Sequence, residues 1–123
     1  MSNNKVRFSF NWNNKLENKA FTTIRIHNES KYIAGNDYDI ELNNKPKGVA
    51  LLKEKRTINI SQLNDFICYL DTGYNRDETI AMLQRMYKHI DLKRTFLDLC
   101  LFVYIKPNNK EIKEIQQTLI FDR

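Results

Sequence analysis

Alternating apolar and polar residues open the chain. Val6, Phe8, Phe10 and Trp12 fall on one side of an extended Lys5–Trp12 segment, with Arg7, Ser9 and Asn11 on the other. That period of two predicts a strand with one buried face. The polar stretch Asn13–Lys19 reads as a turn or short helix. Phe21–His27, rich in β-formers, reads as a second strand, and Asn28–Asp37 as a loop around Gly35. Tyr38–Leu42 predicts a third strand, and a turn over Asn43–Gly48 leads into a fourth at Val49–Ile60.

The period then changes to that of helices. Ser61 is a suitable N-cap, and Leu63, Phe66, Ile67 and Leu70 fall on one helical face. Gly73 stands where a left-handed residue ends a helix. Asn75 with Glu78 forms a capping-box pattern for a second helix, whose stripe is Ile80, Leu83, Met86 and Tyr87. Thr95–Ile105 is the most apolar segment and predicts a central strand, bounded by Pro107. A cap at Asn108 with Glu111, followed by Ile112, Ile115, Leu119 and Ile120, predicts a C-terminal helix over 109–120.

The order β, β, β, β, α, α, β, α predicts an α+β fold. The expected form is a curved mixed sheet or partly open barrel with two to three flanking helices. At 123 residues the chain is expected to be a single domain. With 41% hydrophobic and 28% charged residues, three glycines and two prolines, it has no room for a low-complexity linker. Most of the fifteen asparagines come in adjacent pairs and are expected in turns, because Asn tolerates left-handed backbone. Met1–Lys5 lacks the apolar core of a signal peptide, and the longest apolar run, Leu99–Ile105, is too short to span a bilayer. A cytoplasmic address is the expectation.

The net charge of +5 favours an anionic partner without naming one. Cys68 and Cys100 lie far apart among apolar neighbours and read as free buried thiols. His27 and His89 have no ligand-spaced partners, so no metal site and no cofactor are expected. Glycines stand singly, which leaves no phosphate loop. Candidate chemistry concentrates in Lys19–Arg25. In a strand, Thr23 and Arg25 share a face, and a hydroxyl beside a guanidinium, with Lys19 at the strand's mouth, suits phosphate, a carbonyl or a base edge. Lys45, Lys47, Lys53, Lys55 and Arg56 add a basic hairpin, interrupted by Glu54.

These residues resemble a family. Thr23-Ile24-Arg25, then Lys31-Tyr32, Gly35-Asn36-Asp37-Tyr38 and the strand Ile40–Leu42, look like the start of an ASCH domain of the PUA-like superfamily. Asp71-Thr72-Gly73-Tyr74, leading through Glu78 to Tyr87, and the closing strand Phe96–Ile105 continue the resemblance, which covers about residues 5–106. It implies a cleft for RNA or a nucleoside-like ligand, with Lys19, Thr23, Arg25, Lys31 and Tyr74 as binding residues.

One branch that the chain resembles, the small bacterial N4-acetylcytidine amidohydrolases, uses a Lys, a Thr and a Glu. Thr23 matches the Thr and Glu78 the Glu, but Ala20 stands at the Lys position. Lys19, one residue earlier, is the amine that could substitute. Glu78 serves equally well as the capping partner of Asn75. Three readings therefore stand side by side. They are a module binding RNA or a nucleoside, an amidohydrolase or ribonuclease using Thr23, Glu78 and Lys19, and a phage-type module that holds a host protein without chemistry.

Overall fold

A computed structural model describes residues 4–107; the C-terminal helix expected over 109–120 lies outside them. Five strands, β1 (Lys5–Phe8), β2 (Ala20–Ile26), β3 (Asp37–Leu42), β4 (Lys45–Ile58) and β5 (Leu97–Pro107), form one sheet in the order β1-β3-β4-β5-β2. β1 runs parallel to β3 and every other neighbouring pair is antiparallel. Register shifts in β4, at Val49/Ala50 and Leu52/Glu54, add curvature to the ladder. The two outer strands meet through side chains: Phe8 of β1 lies edge-on to Phe21 of β2 at 5.9 Å. The molecule is thus an α+β fold built on a curled mixed sheet, a partly open barrel.

The inner face of the curl is filled by Val6, Phe8, Phe21, Tyr38, Ile40, Ala50, Leu52, Cys100, Phe102 and Tyr104, plugged by Leu16. The opposite face of β2, β4 and β5, with Ile24, Ile58 and Leu97, packs on Leu63, Cys68, Leu83 and Leu92. Those residues come from α1 (Asp65–Thr72), α2 (Arg76–Met86) and the segments beside them. Each β2 residue therefore reports to one layer or the other according to its parity.

Asparagines set the turns, as their pairing suggests. Asn43 and Asn44 have φ of 52° and 67°, and Leu42 pairs directly with Lys45, so a two-residue turn closes the β3–β4 hairpin. β4 consequently starts at Lys45, earlier than the expected Val49. Asn13 and Asn14 are also left-handed, with φ of 56° and 53°. The Asn13 side chain donates to the α1 carbonyls of Leu70 and Tyr69 at 3.4 Å, the latter also accepting the Gly73 N–H at 3.0 Å, and so ties the 3-10 segment to the helix end. Gly73 closes α1 with φ +82°.

Two further boundaries differ from expectation, the end of β1 and the start of α1. β1 ends at Phe8 because the chain turns at Asn11 into a 3-10 segment, Trp12–Glu17, leaving Phe10 56% exposed. Asn64, not Ser61, caps α1, accepting from the Ile67 N–H at 2.8 Å; Ser61 belongs to a short 3-10 turn capped by Asn59. The later start rotates the buried face, so α1 buries Cys68, Asp71 and Thr72 and exposes Phe66 and Leu70. No helix among the described residues is long and apolar enough to cross a membrane.

Candidate ligand cleft

β2 has a strand partner on one side only, and a cleft runs over its free edge. Thr23 and Arg25 approach it from the barrel side, Ile24 from the helix side. The β1 end and its exit supply Arg7, Phe8, Ser9, Phe10 and Trp12. Asp71, Thr72, Thr79, Met82, Leu83 and Met86 of the two helices form the far wall. The cleft holds about 80 Å³ of water-accessible space and opens to solvent at its mouth.

The expected pairing of Thr23 with Arg25 is present as a contact. Arg25 Nε donates to the Thr23 hydroxyl at 3.0 Å, and the guanidinium lies 4.5 Å above the Phe8 ring. Among the described residues no carboxylate forms an ion pair with Arg25. Stacking fixes the guanidinium plane, and using Nε alone on Thr23 leaves the terminal N–H groups for a ligand.

A second constellation was missed in the sequence. Lys15, in the 3-10 segment, is 3% exposed, and its amine sits 3.0 Å from Asp71 Oδ1. The same carboxylate oxygen accepts the Thr22 hydroxyl at 2.7 Å. Thr22 arrives from the helix side of β2 and Lys15 from the barrel side, so Asp71 joins the two layers at the strand edge. Burial pushes the Lys15 pKa below its ordinary 10.5; the Asp71 charge and hydrogen bond oppose that shift, and Arg25 adds to it. Lys15 and Asp71 both line the cleft beside Thr23. The signal that could have found Lys15 was Leu16, which follows it as an apolar plug.

The remaining expected site residues are placed as follows. Lys19 is exposed just before β2 and contributes its carbonyl to the Tyr104 N–H at 2.9 Å; its side chain is not part of the cleft wall. Glu78 is exposed and bonds the Asn75 N–H at 3.1 Å, completing the capping box, away from the lining residues. Phe10 and Trp12 line the cleft with their rings 4.5 Å apart, and Tyr74, outside the lining, stands edge-on to Trp12 at 6.2 Å. Lys31 sits in the loop after β2, its amine 5.5 Å over the Tyr32 ring. In the basic hairpin, Lys47 pairs with Glu17 at 2.8 Å and Arg56 with Glu54.

His27 has a structural task. Its Nδ1 lies 2.8 Å from fully buried Asp98, which also accepts from the Thr57 hydroxyl and the Asn28 N–H, both at 2.9 Å. Three donors on one buried carboxylate satisfy it and pin the start of the Asn28 loop. No cluster of His, Cys, Asp or Glu among the described residues could hold a metal ion. Cys68 and Cys100 are free and buried.

No family model and no curated protein matches the chain. Among solved structures it is similar to protein EF3133 from Enterococcus faecalis V583, of family model DUF984. The TM-score is 0.58 at 8% identity, over 77% of this chain and 69% of that one. The likeness is one of fold.

Proposed function

We propose that this is an ASCH-type module whose β2-edge cleft binds a nucleoside-like ligand, either free or as an unstacked residue of RNA. The observation that carries the reading is Arg25, held 4.5 Å over the Phe8 ring, tied to Thr23 and without an acidic partner among the described residues. A guanidinium fixed in this way presents paired donors to a base carbonyl or a phosphate at little cost in side-chain entropy. Trp12, Phe10 and Tyr74 offer ring faces and edges on which a base can stack. The fold shared with a DUF984 protein is consistent with the reading.

Trp12 is the chain's single tryptophan and lines the cleft, so its fluorescence reports occupancy directly. Titration with cytidine and N4-acetylcytidine is expected to quench it saturably, with roughly tenfold weaker binding in Arg25→Ala. Equal affinity in wild type and Arg25→Ala would overturn this assignment.

A second reading, amide hydrolysis of an acylated nucleoside, is favoured by one specific observation. Ala20 stands at the position of the Lys in the amidohydrolase pattern, yet Lys15 supplies a buried amine of lowered pKa in the same cleft as Thr23. A threonine hydroxyl needs such a base to become a nucleophile. In this reading the Thr23 hydroxyl attacks the acetyl carbonyl while Lys15, in its neutral form, takes the hydroxyl proton and passes it to the cytosine N4 amino group as the C–N bond breaks. Water then hydrolyses the Thr23 acetyl ester to acetate, Asp71 orients the amine, and Glu78 takes no part. Chromatographic detection of cytidine released from N4-acetylcytidine, lost in both Thr23→Val and Lys15→Met, is the expected result. No product at high enzyme concentration would eliminate that substrate.

A further inference from the structure

Two cations from separate strands, Arg7 of β1 and Arg25 of β2, line the cleft. A third, Lys31, lies outside that lining in the loop that follows β2. They are near enough to act on one another: burial first, then Arg25 and Arg7, lowers the Lys31 pKa. Neither Arg25 nor Lys31 has an ion-pair partner among the described residues, while Arg7 meets Glu41 at 3.6 Å, an acid it shares with Lys5 at 3.3 Å.

Lys31 is also held in place. The Asn28 side chain accepts the Ser30 and Lys31 N–H groups at 3.1 and 3.0 Å, and Asn28 is itself tied to Asp98. The Tyr38 hydroxyl donates to the Lys31 carbonyl at 2.6 Å and accepts the Ile33 N–H at 2.8 Å. A loop whose backbone is fixed at both ends keeps a cation in the neighbourhood of two others, an arrangement that raises the energy of the empty site and is relieved by a bound anion.

We infer that Arg7, Arg25 and Lys31 form a phosphate clamp at the cleft mouth, so that the ligand is a nucleotide rather than a nucleoside. The inference rests on the nucleoside-cleft reading and adds to it the phosphate group. Arg25 bridges the two parts, its stacked plane facing the cleft while its charge joins the clamp. A free nucleotide and an RNA backbone present the same phosphate chemistry to such a clamp.

Isothermal titration calorimetry at low salt separates the possibilities, using cytidine, cytidine 5′-monophosphate and a five-residue oligocytidylate RNA. The monophosphate is expected to bind roughly tenfold or more tightly than cytidine, because charge-assisted contacts are the stronger kind. That advantage should shrink severalfold in Lys31→Met and in Arg7→Gln, two exposed positions whose variants are checked for folding by circular dichroism. It should also fall between 50 and 200 mM salt. Tighter binding of the oligomer, with a steeper salt dependence than the monophosphate, identifies RNA as the source; weaker binding identifies a free nucleotide. Equal affinity for cytidine and its monophosphate overturns the clamp and leaves the nucleoside cleft standing. Binding of none of the three removes both.

Discussion

Replacing Lys15 by Met removes one half of a buried ion pair while keeping most of the side-chain volume. The amine and Asp71 Oδ1 are 3.0 Å apart, with both side chains 4% exposed. At an effective dielectric of 20 their attraction is about 5.5 kcal/mol, offset by the desolvation of both groups. The variant leaves Asp71 charged, buried and held by the Thr22 hydroxyl alone, which is expected to cost about 3–5 kcal/mol. For a domain of ordinary stability that is a third or more of the total. Urea titration followed by circular dichroism should show a lower midpoint at unchanged slope. Adding Asp71→Asn removes the orphaned charge and keeps an acceptor for Thr22, so the double variant should recover at least half of the loss. Burial holds the folded-state Lys15 pKa below 10.5, so the unfolded chain binds that proton more tightly. The resulting cost is fully present below the folded pKa and is relieved as pH rises toward 10.5, so wild type should gain on Lys15→Met across that window. A single-variant loss under about 1 kcal/mol, or a double variant no better than the single, would refute the view of Lys15 and Asp71 as one buried unit.

The cysteines give a prediction of opposite sign. Burial, followed by the Asp98 charge, pushes the Cys100 thiol up to about 12 from 9.0, so the folded state keeps its proton while the unfolded chain loses it. Stability relative to Cys100→Ala should be unaffected below pH 9 and fall as pH rises toward 12, by up to about 1.4 kcal/mol per unit. Iodoacetamide at pH 8 should leave both thiols unmodified in the native protein and label both in urea. A loss of native protection at pH 8 would contradict the burial. Glu78→Ala should cost about 0.5 kcal/mol through the lost capping box, with the Trp12-detected ligand affinity unchanged. A tenfold change in affinity there would return Glu78 to the cleft.

Legibility varied with how local the signal was. Strand parity on β2 was readable because Thr23 and Arg25 are two residues apart, and the Arg25–Thr23 contact follows from that spacing. The caps at Asn75 and Gly73 were equally local. Lys15 was hidden because its partner Asp71 lies 56 positions away, and in the polar segment Asn13–Lys19 the lone apolar residue Leu16 was the one hint that the chain turns inward there. Lys19 was the nearer amine in sequence, but it precedes the strand on the outside. The α1 stripe was misplaced because Ser61 and Asn64 are both good caps three residues apart. Choosing the first rotates the helix face and buries Phe66 and Leu70 in place of Cys68 and Asp71.

A ligand held at the free edge of β2 is expected to leave its mark in backbone and side-chain NMR shift mapping with saturating cytidine 5′-monophosphate. Perturbations should centre on the Trp12 indole N–H, Thr23, Arg25 Nε and Met82, which surround the cleft. Shifts centred instead on Lys53–Arg56 of β4, with those four signals unmoved, would contradict the account.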